Sequence, residues 1–495
     1  MKAASPAISA SAQPSQRNMT QTIKLALAFS TLSLLTGCQL LGPMFSRPTD
    51  TLPAQYPETN AAESSAESQL ALATWWTLFN DAQLNSLVEK ALANNSNIQL
   101  AVARIEEADA QAKEVGANIL PTVTLESTNT RSRVTGAGAF PVFGPNPRDN
   151  YRLALNSAIE LDFWGKVKRA NEAARANLLV TQFAKDTVKW SLSSLVANHY
   201  LMVRSIDSQL LVNASNLKTA QESLALAQRR VAGGISSILD VHQAELVVVN
   251  LQSQALEYQR LRALSEHQLG SLTADLTTKI AVADVMAMPI PPVPPSGLPS
   301  QLMDARPDIR QAEQQLVAAN ANIGVAKAAL YPSVSLTGAY GGESLELSDI
   351  TTSLARIWTL GLDVSLPIFN GGRLNSRVDQ ANARQKQALA NYVGASQTAF
   401  TEVSDALTNA RVYRERETIA QSKQTITQNM LNIAQNRYKA GYSSYLEVLD
   451  AQRSHNEATQ AFVQSRQYTL TATVDLFKAL GGGWQVSALI SAPAK

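Results

Sequence analysis

Cysteine is almost missing from this chain: Cys38 is the only one in 495 residues. An intramolecular disulfide and a thiolate metal cluster are therefore excluded. Histidine is nearly as scarce, and His199, His242, His267 and His455 lack the spacing of a metal site. Aromatics reach only 6%. Together with heavy use of Ala, Ser, Gln and Asn, this suits long, closely packed helices rather than a thick aliphatic core. No charge of one sign dominates, since 42 Lys and Arg face 40 Asp and Glu for a net charge of +2. Such a balance gives no footprint for nucleic acid. Gly-x-Ser-x-Gly, the P-loop and His-Glu-x-x-His are all absent, so no enzyme signature competes. No cofactor and no metal is expected.

What is present is the same unit twice. Ile98–Leu125 reads again as Ile309–Leu336, with Pro121 falling on Pro332. Leu224–Val241 reads again as Leu431–Val448, with Arg230 on Arg437, Gly234 on Gly441, Ser237 on Ser444 and Asp240 on Glu447. Self-similarity at a near-constant offset means one supersecondary plan used twice.

The N-terminus reads as an export signal. Lys24 precedes the apolar run Leu25–Leu35, too short to span a bilayer, and Leu35-Thr36-Gly37-Cys38 follows. That ending resembles the bacterial lipoprotein signal, in which the cysteine is lipidated and becomes the first mature residue. Gln39, not Asp, follows it, which by the rule for such lipoproteins implies sorting to the outer membrane. Met19 looks a better start than Met1. Two or three acyl chains would hold the protein firmly, where one would not.

In each repeat the hydrophobic period switches from helix to strand. Val123 and Leu125 alternate with polar neighbours, as do Tyr151, Leu153, Leu155, Ile159 and Leu161. Val334, Leu336 and Tyr340, then Trp358, Leu360, Leu362, Val364 and Leu366, do the same in the second repeat. About ten alternating residues match an outer-membrane barrel strand, and a soluble sheet with one wet face would share the pattern. Trp164, Phe163, Trp358 and Phe369 lie near strand ends, where a barrel keeps its aromatic girdle. Long proline-free helices follow. Val196, Val203, Leu210, Leu217, Leu224 and Val231 recur every seven residues, as do Val412, Ile419, Ile426, Ile433 and Ala440. Such heptads predict coiled-coil packing. Each helix reaches a glycine-bearing turn and returns.

The resulting organisation is a signal at 1–37, an extended leader at 38–74, a first repeat at 75–288, a Pro-rich linker at 289–299, a second repeat at 300–483 and a tail at 484–495. The first repeat holds strands near 122–132 and 150–161 and a helical hairpin near 167–272. The second holds strands near 333–341 and 357–367 and a hairpin near 374–480. The fold class is α+β membrane protein. Four strands cannot close a membrane barrel, because open edges are forbidden in lipid, so spanning strands require self-association.

Five stretches carry a family resemblance: Leu35-Thr36-Gly37-Cys38, Asp162-Phe163-Trp164-Gly165-Lys166, Ala305-Arg306-Pro307-Asp308-Ile309-Arg310, Leu330-Tyr331-Pro332-Ser333-Val334 and Pro367-Ile368-Phe369-Asn370-Gly371-Gly372-Arg373. With them the chain resembles the TolC family of outer-membrane efflux proteins, in its lipoprotein branch, over nearly all of 38–483. The resemblance implies a homotrimer with a twelve-stranded β-barrel continuous with an α-helical barrel. Its implied partners are a periplasmic adaptor, an inner-membrane pump of the RND type and outer-membrane lipid. The implied function is passive conduction of drugs or other toxic small molecules to the exterior. A type I protein-secretion duct, or a coiled-coil scaffold lipoprotein without a pore, are the alternatives.

The resemblance also assigns roles. Gly234, Ile235, Ser236 and Ser237, with Gly441, Tyr442, Ser443 and Ser444, would be the tips that meet the adaptor. The same residues could do no more than make the turns. Glu447 and Asp450 fall on a constriction of carboxylates, which three chains would make cation-favouring. Solvated charges near a helix N-terminus are the plainer reading. Asp240 and Tyr438 match positions that link neighbouring hairpins when the duct is closed. A basic partner found there in some members falls on Ser443, which leaves this latch different. Cys38→Ser is expected to abolish acylation, read from the intact mass of the membrane-extracted protein; an unchanged acylated mass would remove the anchor assignment.

Overall fold

The structure, a computed structural model, describes residues 40–48, 52–53, 55–57, 74–138, 144–293 and 299–482. The signal segment, Cys38, most of the leader, the 294–298 part of the linker and the tail lie outside the described residues. Two compact units form, and neither follows the sequence repeats. Among the described residues, one draws on 40–45, 111–174 and 318–385, and the other on 46–110, 175–317 and 386–482. Each takes segments from both halves, because corresponding segments pair with each other.

In the first unit, β1 (Thr122–Ser132), β2 (Arg148–Glu160), β3 (Ser333–Ser344) and β4 (Arg356–Ser365) form one antiparallel sheet in that order. The joint between the repeats is β2 on β3. Register aligns Leu125, Leu155, Tyr340 and Trp358 in one row across all four strands. Ile159, Leu336 and Leu362 form another row on the same face. The opposite face carries Thr124, Asn156 and Thr359, and its carboxylates are held by neighbours: Asn156 Nδ2 donates to Glu126 at 2.9 Å and Asn150 Nδ2 to Glu343 at 3.0 Å. The apolar face is bare, with Trp358 72% and Leu360 73% exposed. Among the described residues, the outer edges of β1 and β4 have no strand partner.

Two of the sequence motifs turn the chain from strand to helix in this unit. Before α3 (Lys166–Ala232), Gly165 adopts φ +74° and Asp162 accepts from the Lys168 N–H at 2.9 Å. Before α7 (Arg373–Lys439), Gly371 and Gly372 adopt positive φ and Asn370 accepts from the Leu374 N–H at 3.3 Å. A carboxylate or amide oxygen there satisfies orphan donors of the first helical turn. Trp164 stacks near Tyr331 with ring centres 4.9 Å apart, and its Nε1 donates to the Pro332 carbonyl at 2.7 Å.

The second unit is helical. It contains α1 (Ala82–Asn94) and α4 (Ile238–Thr273), α5 (Pro299–Ala305), α8 (Tyr445–Ala479), and parts of α2 (Ser96–Ala117), α3, α6 (Pro307–Ala328) and α7. Helices α3 and α7 are each 67 residues, about 100 Å at 1.5 Å per residue. Trp75 is fully buried and stacks on Phe477 with Trp76 and Phe79 set edge-on. Leu84, Val88, Val196, Tyr200, Leu269 and Val474 complete this core.

The Arg-Pro-Asp-Ile-Arg stretch acts as a staple in this unit. Pro307 opens α6, where its missing N–H costs nothing. Arg306, 1% exposed, donates to Asp308, to Glu402 on α7 and to the Ala479 carbonyl at the end of α8, with its guanidinium 5.0 Å from the Trp190 ring centre. The linker is tied down as well: Arg466 donates to the Met288 carbonyl and Arg414 to that of Pro291.

The heptad expectation needs one correction. Val196 and Val203 are fully buried, as a coiled-coil seam requires. Their repeat equivalents Val403 and Ala410 are buried as well, but the stripe Ile419, Ile426 and Ile433 is exposed, and α7 there buries Thr427, Leu431, Ala434 and Tyr438. That stripe therefore has no cover among the described residues.

Buried ion pairs give this unit an acid sensitivity. Burial pushes the Asp81 carboxyl up, but hydrogen bonds from Tyr200 and the Leu84 N–H and the charge of Arg204 outweigh it and hold the carboxyl below its usual value. Glu266 behaves alike, held down by the Ile280 N–H, Arg262 and Lys279 against burial. A carboxyl depressed in the folded state stabilises above its unfolded value and loses that contribution as pH falls through the folded one. Helical stability in denaturant is therefore expected to decline below about pH 4. Asp81→Asn should lower stability at pH 7 and flatten the decline, followed by far-UV circular dichroism.

Candidate functional site

Both long helices end in the same way. Gly234 adopts φ +68°, Gly234 N–H donates to the Val231 carbonyl at 2.9 Å, and Ile235 N–H reaches back to Arg230 at 2.8 Å. Gly441 adopts φ +81°, Gly441 N–H donates to Tyr438 at 3.1 Å, and Tyr442 N–H to Arg437 at 2.9 Å. These are Schellman closures, and the left-handed residue explains why glycine stands at both positions. Returning helices start from Ser237, whose Oγ accepts from the Leu239 N–H at 3.2 Å, and from Ser444, which makes no side-chain cap bond. Ser236 donates to the Asp240 carboxylate.

The tips present apolar side chains outward. Ile235, Ile238 and Leu239 at the first turn, and Tyr442 and Leu446 at the second, are exposed. Behind them lies a closed cluster. Tyr438 and Tyr445 are buried with ring centres 5.4 Å apart. Burial, followed by the nearby Tyr438 and Asp240, pushes the Tyr445 hydroxyl up to about 12. Asp240 and Tyr438 thus meet at Tyr445, within one chain.

Arg230 joins the two hairpins. Its guanidinium lies 4.6 Å from the Tyr438 ring centre, and Nη1 donates to the Tyr438 carbonyl at 2.9 Å. That carbonyl belongs to the last turn of α7, where a cation also complements the helix dipole. The repeat-equivalent Arg437 does otherwise: its Nε faces Glu447 at 3.6 Å, an exposed pair. Asp450 is exposed, one turn further along α8. Ser443 is half-buried. Cys38 is outside the described residues.

Sequence reasoning missed Arg230 and Tyr445 as members of this cluster. The signal was available for the arginine, since Arg230 and Arg437 occupy equal positions in the two repeats. A polar cleft of about 600 Å³ was not foreseeable. It lies between α3, α7 and α8 and is lined by Asn216, Thr219, Gln435, Gln452 and His455. Burial holds the His455 imidazole below its usual value.

Among solved structures, the outer-membrane channel OprN superposes with a TM-score of 0.83 at 28% identity, covering 90% of this chain and 100% of that one. The structure of CusC superposes with a TM-score of 0.80 at 30% identity, covering 89% and 99%. A small sheet with one polar and one bare apolar face, and paired helical hairpins, thus define an outer-membrane channel protein. The chain is 33% identical over 460 residues to Cation efflux system protein CusC of Escherichia coli O6:H1, covering 93% of this chain and 98% of that protein. It is also 33% identical over 467 residues to Solvent efflux pump outer membrane protein SrpC of Pseudomonas putida, covering 93% and 99%. Residues 87–275 and 298–482 match the family described as Outer membrane efflux protein, and the chain belongs to that family.

Arg230→Gln is expected to loosen the tip while leaving the Schellman turns intact. In planar bilayers the variant should leak more ions than the parent. Glu447→Gln with Asp450→Asn should do the same if these carboxylates ring the narrowest point, and unchanged conductance would place the constriction elsewhere.

Proposed function

We propose that the chain is the trimeric outer-membrane duct of a tripartite efflux system, fed by an inner-membrane pump of the RND type through a periplasmic adaptor. The observation that carries this reading is the sheet: a largely bare apolar face and two edges without strand partners among the described residues. Three copies of a four-stranded sheet would give twelve strands and no edge. Its apolar face would meet lipid and its polar face would line water.

Dimensions support the reading. Tyr331 stands just before β3, and Tyr340 lies toward its far end in the row of Leu125, Leu155 and Trp358. At about 3.3 Å per residue and a tilt of about 40°, that stretch rises about 23 Å, close to the ~25 Å apolar band of such barrels. The helices offer a matching surface: Leu246, Val249 and Leu256 on α4 and the stripe Ile419, Ile426, Ile433 on α7 are bare in one chain. Packing α4 of one copy on α7 of the next would close a helical ring.

The apolar tips at Ile235 and Tyr442 suit docking by the adaptor, and the Arg230–Tyr438–Tyr445–Asp240 cluster suits a closure held behind them. Cys38 would anchor the chain beside the barrel. Two residues on, Leu40 packs against Gly165, and the Leu41 N–H donates to the Trp164 carbonyl at 3.3 Å. Relatives named for cations and for solvents share this duct at similar identity, which favours a conduit whose pump selects the cargo, here drugs or other toxic small molecules.

The test is a pair of substitutions one residue apart. Leu360→Arg would place a charge in lipid, at about 2–4 kcal/mol per chain, and should prevent recovery of a heat-labile oligomer from outer membranes. Thr359→Arg would face water, should assemble, and should shift ion selectivity toward anions. Equal assembly of the two, or a monomer in both the parent and Thr359→Arg, would overturn the reading.

A further inference from the structure

We infer that the β3–β4 loop, residues 345–355, folds outward over the lipid-facing side of the sheet and sets its leucines into the outer leaflet, leaving the channel mouth clear. The inference rests on the proposed barrel and goes beyond it. Gly342 shares a face with Leu336 and Tyr340, because alternate residues of β3 point the same way. A Cβ at Gly342 would lie 2.0 Å from the Ile350 carbonyl oxygen and 3.4 Å from its Cγ1. The loop therefore crosses back over the apolar face, and only glycine lets it come so near. A loop that plugged the mouth would instead pass over the opposite face, which carries Ala339 and Glu343.

The loop is built to hold that position. Two short 3-10 turns, Leu347–Asp349 and Ser353–Ala355, close it on itself. Thr352 N–H and Oγ1 both bond the Asp349 carbonyl, at 2.9 and 2.7 Å, and the Ala355 N–H bonds Thr352 at 3.2 Å. Backbone groups paired in this way can approach lipid without loss. Ala355 is buried while Leu354 is 98% exposed and Leu347 is also bare, so the leucines point away from the protein.

Depth fits as well. One row inward from Gly342 and Arg356 lies the Tyr340–Trp358 pair on the same face. Interfacial Tyr and Trp sit at headgroup level. The loop crosses one row outside that level, continuous with the lipid-facing surface, from where its exposed leucines would reach back to the upper acyl chains. Lipid, rather than a protein partner, is the occupant that this continuity selects.

The experiment places an NBD label on Leu354→Cys, Leu360→Cys or Thr359→Cys in the full-length channel. The proteins are reconstituted in phosphatidylcholine vesicles with or without phosphatidylcholine brominated at shallow acyl carbons. The unsubstituted protein, taken through the same labelling, sets the background. The expected result is a loss of fluorescence at Leu354 close to that at Leu360 and well above that at Thr359. A Leu354 signal matching Thr359, with Leu360 quenched, would overturn the loop placement and leave the barrel standing. No quenching at Leu360 would overturn the barrel and the loop placement together.

Discussion

An antiparallel sheet must satisfy the hydrogen-bonding groups along its edges, and in hydrocarbon water cannot do it. This constraint governs the first unit. Four strands have two faces of opposite chemistry, set row by row by the register of Leu125, Leu155, Tyr340 and Trp358. Among the described residues most of the apolar face is bare, with only the β3–β4 loop over its Gly342 end, and no strand completes the edges of β1 and β4. Such a sheet is stable only with lipid against one face and further strands at its sides. The chain is an outer-membrane protein, and under the proposed assembly identical copies would complete its sheet.

The helical unit answers a different constraint. Its helices carry many small and polar residues, so burial is thin and charged groups do part of the holding. Arg306 ties α6, α7 and the end of α8 in one contact set, and Arg204 and Arg262 pair with the carboxylates of Asp81 and Asp207. Removing one partner of such a set leaves the others desolvated, which explains why arginine and carboxylate stand in a buried setting at all.

At the tips the internal symmetry of the sequence breaks. Arg230 and Arg437 hold equal places in equal Schellman turns, yet one lies over a tyrosine of the other hairpin and the other faces Glu447 at the surface. Duplicated turns in one chain therefore give two non-equivalent contacts, one buried and one wet. An arginine from the first hairpin occupies the Tyr438 end of the second, where Ser443 supplies no charge.

Much of this was legible in residues. The alternation of β1 to β4, the proline and glycine breaks, the length of the helices and the paired glycine turns follow from local rules of period, φ and capping. What stayed hidden depended on residues far apart. The Arg230 contact spans more than two hundred positions, and the Tyr445 hydroxyl owes its shift to groups on two hairpins. The heptads show the limit most clearly. Val196 and Val203 on α3, and Ile419, Ile426 and Ile433 on α7, carry the same periodic signal, but only the first pair is buried. Sequence by itself determined which side of each helix and strand is apolar, because that depends on geometry within a few residues. Only the tertiary structure decided which apolar sides are spent inside the chain and which remain for lipid and for neighbours, because burial depends on what the fold brings alongside.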